Sequence, residues 1–125
     1  MAHGGAKVWY FPDGYLPDKV AGSALEAHEA LMVLNVHDQP ARLTLDVYFD
    51  TQEPVKDILL TVEAERCVCF RMDMPEHLRG ARIPPMTQYG LRLRSDVPVV
   101  AMFGRLDTTQ PNLAYYINTP YCEED

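Results

Sequence analysis

This 125-residue chain predicts a single all-β domain, and three observations predict it. Residues 41–49 alternate strictly, with Leu43, Leu45, Val47 and Phe49 on one face and Arg42, Thr44, Asp46 and Tyr48 on the other. Further short apolar alternations recur between turn-forming residues, which is the spacing of a sandwich or a barrel. The chain is also long enough for one real core. With 47% hydrophobic residues, a chain of this size buries ~65–70% of its unfolded surface.

Residues 1–6 hold no apolar signal-peptide core and are expected to be a flexible leader, carrying His3, on a cytoplasmic protein. Val8-Trp9-Tyr10-Phe11 then runs into Pro12-Asp13-Gly14, a strong turn signal. The aromatics on either side of that turn, Trp9 and Tyr15 among them, form either a lid on the core or a shelf for a sugar ring. The lid is the simpler expectation.

Local rules conflict over the next segment. Ser23-Ala24-Leu25-Glu26 fits a capping box, and the residues to Leu34 include good helix formers. Leu31-Met32-Val33-Leu34, followed by Asn35 and a turn, instead fits a strand buried on both faces. A strand is expected from about Ala27, because the remaining strands need partners. His37-Asp38-Gln39-Pro40 reads as a tight turn and predicts a hairpin of residues 29–36 and 41–49.

Asp50 to Pro54 ends that strand with turn chemistry. Strands centred on Ile58-Leu60-Val62, Val68-Phe70-Met72 and Leu91-Leu93 follow. Met74 to Thr87, with Pro75, Pro84 and Pro85, is too broken for a helix and is expected to wrap the surface in extended form. Ser95 to Asp107 is a long apolar run ending in Arg105-Leu106-Asp107. Period two puts Arg105 and Asp107 on the side of Phe103. Residues 121–125 form an acidic tail expected to fray.

Acidic residues outnumber basic ones 18 to 11, for a net charge of −7. Such a surface repels phosphate backbones and anionic lipid, so no nucleic acid is expected as partner. No run approaches the ~20 apolar residues that span a bilayer. Cys67, Cys69 and Cys122 lack zinc-site spacing and are expected as reduced thiols. Cys67 and Cys69 would share a strand face, yet no neighbouring residue in the sequence supports a soft-metal site.

Several ordered blocks resemble the sensory rhodopsin transducer family. They are Trp9 with Gly14-Tyr15-Leu16-Pro17; His28-Glu29 leading to Leu34-Asn35; Ala41 through Tyr48-Phe49 with Glu53-Pro54; and Leu60-Thr61-Val62 with Arg66. Ile83-Pro84 follows, then Ser95-Asp96-Val97-Pro98-Val99-Val100 with Arg105-Leu106-Asp107-Thr108. Their order across residues 9–109 carries the similarity. The resemblance implies an antiparallel β-sandwich that assembles as a homotetramer. It also implies a non-enzymatic small-molecule-binding or signal-relay role, with carbohydrate-like ligands and no cofactor. Where the family tends to carry Gln or His before Arg-Leu-Asp, this chain has Met102-Phe103-Gly104, which makes the wall near Arg105 more apolar.

A ligand pocket is expected from His28, Glu29, Arg66, Arg105 and Asp107, with Trp9 and Tyr15 as aromatic walls. Carboxylates accept from hydroxyls, arginines donate in a planar fork, and an aromatic face packs on a sugar ring. The structural reading weighs equally: ion pairs of Glu29 with Arg105, or Asp107 with Arg66, that fix strand ends. Asn35 is expected to satisfy backbone groups. His37 and His77 are expected in solvent, and Arg92 and Arg94 on a solvated strand face that could meet an acidic partner.

Catalysis has thin support. His28 and Glu29 are adjacent on a strand and point to opposite faces, and no phosphate loop, nucleophile elbow or His-Glu-x-x-His occurs. Two further readings remain. One is a soluble relay docking on the cytoplasmic face of a membrane photoreceptor or other receptor. The weaker is a sugar-modifying enzyme.

Overall fold

The computed structural model describes residues 3–110, 114–118 and 120–123. Eight strands follow in order: β1 (Ala6–Tyr15), β2 (His28–Asn35), β3 (Ala41–Phe49), β4 (Val55–Val62), β5 (Arg66–Arg71), β6 (Gln88–Asp107), β7 (Ala114–Asn118) and β8 (Tyr121–Glu123). Every pairing between them is antiparallel. The fold is an all-β sandwich.

The 20-residue strand β6 belongs to both layers. Its first half lies between β3 and β1, in a sheet ordered β4-β3-β6-β1-β8. Its second half lies between β2 and β7, with β5 outside β2. Pro98 falls where the strand changes partners, after Ser95 has paired with Leu43 and before Val100 pairs with Leu34. A proline there costs no ladder hydrogen bond.

The core lies between the layers. Leu43, Leu45, Val47, Leu91 and Leu93 come from one sheet, and Leu31, Val33, Ala101 and Phe103 from the other. The alternation of residues 41–49 holds, with one exception: Asp46, on the outer face, is also fully buried. The strand over residues 28–35 prevails over the local helix signals.

Three expectations are corrected. β2 does not form a hairpin with β3; it pairs with β5 and β6, and the 37–40 connection crosses between sheets. Asn35 fixes that crossing: its Nδ2 donates to the Gln39, Val62 and Glu63 carbonyls, and its Oδ1 accepts from the His37 N–H. The proline-rich segment contains a short 3₁₀ turn, Pro75–Leu78, and buries Leu78 and Ile83 in the core. Finally, Tyr121–Glu123 pair with Val8–Tyr10 of β1 instead of fraying. Glu124 and Asp125, and Met1 and Ala2 of the leader, lie outside the described residues.

Candidate functional site

Parity along β2 drives the chemistry at one end of the sandwich. Glu29 has the phase of Leu31 and Val33, so its carboxylate points inward, and it is fully buried. A buried carboxylate needs compensation. Glu29 sits directly opposite Arg105 on β6, and the Arg105 Nε–H donates to Oε2 at 2.8 Å. The Tyr89 hydroxyl donates to Oε1 at 2.5 Å, and the Tyr15 N–H lies 3.0 Å from both oxygens. The other arm of Arg105 reaches the Asp13 carbonyl at 3.2 Å and its carboxylate at 3.4 Å. The turn of β1, the start of β2 and the end of β6 are thereby held together.

Gly14 permits this arrangement. A Cβ there would sit 2.5 Å from the Tyr89 ring, so any side chain would push Tyr89 off its carboxylate.

The expected site residues divide. Tyr15, Glu29 and Arg105 meet, with Tyr15 contributing its backbone N–H, and His28 adjoins them with Nδ1–H donating to the Glu26 carbonyl. Asp107 turns to its own loop, where the Thr109 hydroxyl and N–H bind it and hold its carboxyl below the ordinary value. Trp9 is elsewhere. It is six residues up β1, about 20 Å at ~3.3 Å per residue, packs on the core, and donates Nε1–H to the Ala6 and Val99 carbonyls. Arg66 lies opposite Asn35 at the far end of β2 and donates to the Ala64 and Glu65 carbonyls. The Asp107–Arg66 pair therefore does not form, whereas the Glu29–Arg105 pair does.

A second charged cluster adjoins the first, and the sequence reading missed it. Asp73 accepts from Arg71 at 2.8 and 2.6 Å and from Lys19 at 2.7 Å. Glu26 joins the same two cations, at 2.7 and 3.0 Å. Burial pushes the Asp73 carboxyl up, but the hydrogen bonds from Arg71 and Lys19 outweigh it and hold it at about 2. Arg71-Met72-Asp73 repeats the Arg-x-Asp pattern of Arg105-Leu106-Asp107, which is the signal that could have found it. Beside it opens a cleft of about 420 Å³, lined by Leu16, Pro17, Asp18, Lys19, Asp73, Arg82, Ile83 and Pro85. Another, of about 480 Å³, lies between residues 20–24 and 108–110, where the Thr108 hydroxyl is buried without a partner among the described residues.

On the opposite sheet, Arg92 and Arg94 are not a free basic edge. Both bind the buried Asp46, Arg92 at 2.9 and 3.1 Å and Arg94 at 2.9 Å. A bulge between β3 and β4 places Asp57 at φ 62° and directs its N–H onto Asp46 at 2.9 Å. His77 is likewise engaged, its Nδ1 accepting from the Arg71 N–H. His37 is half-buried, with its Nε2 enclosed and unpaired among the described residues.

Fold and site together define a small sandwich module that fixes its strand ends with buried charge. The chain belongs to the family described as ASRT, Anabaena sensory rhodopsin transducer, whose pattern it matches over residues 4–122. Its fold is similar to the crystal structure of Thermotoga maritima 1070, at 30% identity and a TM-score of 0.85 over 98% of both chains. It is also similar to the Anabaena sensory rhodopsin transducer, at 29% identity and a TM-score of 0.67 over 82% of this chain and 90% of that one. Among curated protein sequences none matches. Among the described residues no helix is long and apolar enough to cross a membrane.

Proposed function

We propose that the chain is a non-enzymatic, cytoplasmic signalling module that takes up a small polar ligand of carbohydrate-like chemistry in the cleft beside Lys19 and Asp73. The observation that carries this reading is the cleft's lining. Leu16, Ile83 and two prolines make an apolar floor, and Lys19, Asp18 and Arg82 supply polar groups. Its volume of about 420 Å³ falls within the ~300–1,000 Å³ of small-molecule sites. Arg82 is exposed and makes no hydrogen bond or ion pair among the described residues, which leaves its planar fork for a ligand. Glu29, the carboxylate of the His28-Glu29 pair weighed for acid–base chemistry, is engaged within the protein, and so is Asp107.

A thermal-shift screen against sugars, sugar acids and polyols tests this. A ligand at 100 times its dissociation constant stabilises the fold by about 2.7 kcal/mol, and Arg82→Ala should remove the shift while melting as the parent does. No shift across all three classes counts against the ligand reading.

A second reading, a relay docking on a membrane receptor's cytoplasmic face, is favoured by membership in a family described by a sensory rhodopsin transducer. Recovery of a receptor from a membrane fraction is its test. A homotetramer is supported by the outer face of the β2–β6 sheet, where Leu34, Val100, Met102, Tyr115 and Ile117 are 38–60% exposed. Copies that each carry −7 approach most easily through a patch of uncharged side chains. Ile117→Lys should lower the mass measured by light scattering.

A further inference from the structure

Cys67 and Cys69 stand on β5, which among the described residues is an edge strand paired only with β2, and both are exposed on the outer face of the sheet. The register sets Cys69 directly opposite Met32, and Met32 directly opposite Met102. Opposed residues on neighbouring antiparallel strands have Cα atoms ~4.5–5.5 Å apart, and residues two apart on one strand are separated by ~6.6 Å. Two thiols and a thioether from separate points of the chain therefore share one patch, reachable from the open edge of β5. The sequence alone offered the cysteine pair no companion; strand pairing supplies Met32.

We propose that Cys67, Cys69 and Met32 form a binding site for a single Cu(I) ion, with Met102 flanking it. Thiolate and thioether sulfur select this soft monovalent ion. Zinc sites take four donors, and among the described residues no third His, Cys, Asp or Glu gathers with the pair. On binding, each thiol releases its proton to solvent. Two Cu–thiolate bonds and one Cu–thioether bond form, the metal stays Cu(I), and the site carries one negative charge. Arg71, two residues along on the same face, lies beside that charge. A disulfide within the pair is disfavoured. The ~6.6 Å spacing is close to the upper limit of about 6.8 Å, and the two Cβ vectors run parallel.

The test is anaerobic titration of the intact protein with Cu(I) in competition with the chelator bicinchoninate. One equivalent per chain should be retained by the parent protein and by Cys122→Ser. It should be lost in Cys67→Ser and in Cys69→Ser, and Met32→Leu should give the ion up to a lower chelator concentration. The substitutions are at exposed or half-exposed positions, and circular dichroism verifies that each variant is folded. Failure of the parent to retain copper overturns the proposal. So does retention unchanged by either serine substitution or by Met32→Leu, or an equal loss in Cys122→Ser.

Discussion

Glu29 and Arg105 face each other across β2 and β6, and the 2.8 Å hydrogen bond between them joins a fully buried carboxylate to a guanidinium that also grips the Asp13 turn. The sequence weighs the pair equally as a ligand contact and as a structural ion pair, and the structure forms the ion pair. In the structure it fastens the Asp13 turn to the ends of β2 and β6.

Removing one half of such a pair strands the other. Glu29→Ala should cost about 3–5 kcal/mol, the usual penalty for breaking a buried ion pair. Tyr89→Phe, which removes only one donor, should cost about 1–3 kcal/mol. Urea denaturation of the two variants measures both, and equal losses would contradict the ranking.

Gly14→Ala places a methyl group against the Tyr89 ring, at an approach of 2.5 Å. The ring must move, and with it the hydroxyl that binds Glu29. A loss of about 1–3 kcal/mol is expected, as for an overpacked core. If Tyr89→Phe is introduced first, part of the Gly14→Ala cost should disappear, because the hydroxyl's bond is already gone.

Asp73 makes a pH prediction. Its carboxyl is held at about 2 against an ordinary 3.8. A carboxylate depressed on folding stabilises the protein above its unfolded value, and that contribution is lost as pH falls through the folded one. Stability should therefore decline between roughly pH 4 and pH 2, and Asp73→Asn should flatten that part of the profile. The denaturation midpoint recorded across the interval is the measurement.

Asp46, Arg92 and Arg94 should be energetically coupled. Burial pushes the Asp46 carboxyl up, but the Asp57 N–H and the two guanidinium groups outweigh it and hold it below the usual range. A double-mutant cycle of Asp46→Asn with Arg92→Gln should return an interaction of about 0.5–3 kcal/mol. Additive losses would mean that Arg92 is bystander to the buried charge.

The sequence exposed faces more readily than partners. Alternation along residues 41–49 assigned each side chain of β3 to a side, and parity could equally have marked Glu29 as inward. What period two does not contain is what lies over a face. Asp46 occupies the polar phase yet is covered by Arg92 and Arg94, which arrive from β6. The hairpin failed for the same reason: β2 is apolar on both sides, so nothing local distinguishes β3 from the distant β5 and β6. Residue chemistry groups Trp9 and Arg66 with Glu29, and strand length carries them to the other end of the sandwich. Arg71 and Asp73 went unnoticed because a charged pair after a short strand resembles ordinary surface until Lys19 folds back on it.

Strand β6 serves both layers, and this governs how the molecule can come apart. Neither sheet can lose its central member without dismantling the other, so no half-opened sandwich retains one intact layer. Amide protons of Leu93 and Phe103, on opposite sides of Pro98, should exchange with deuterium through the same rare global event. Their protection should rise and fall together with denaturant. In a body with this property a disturbance at one end is felt as a change in the whole body's population of states, with no separately yielding part.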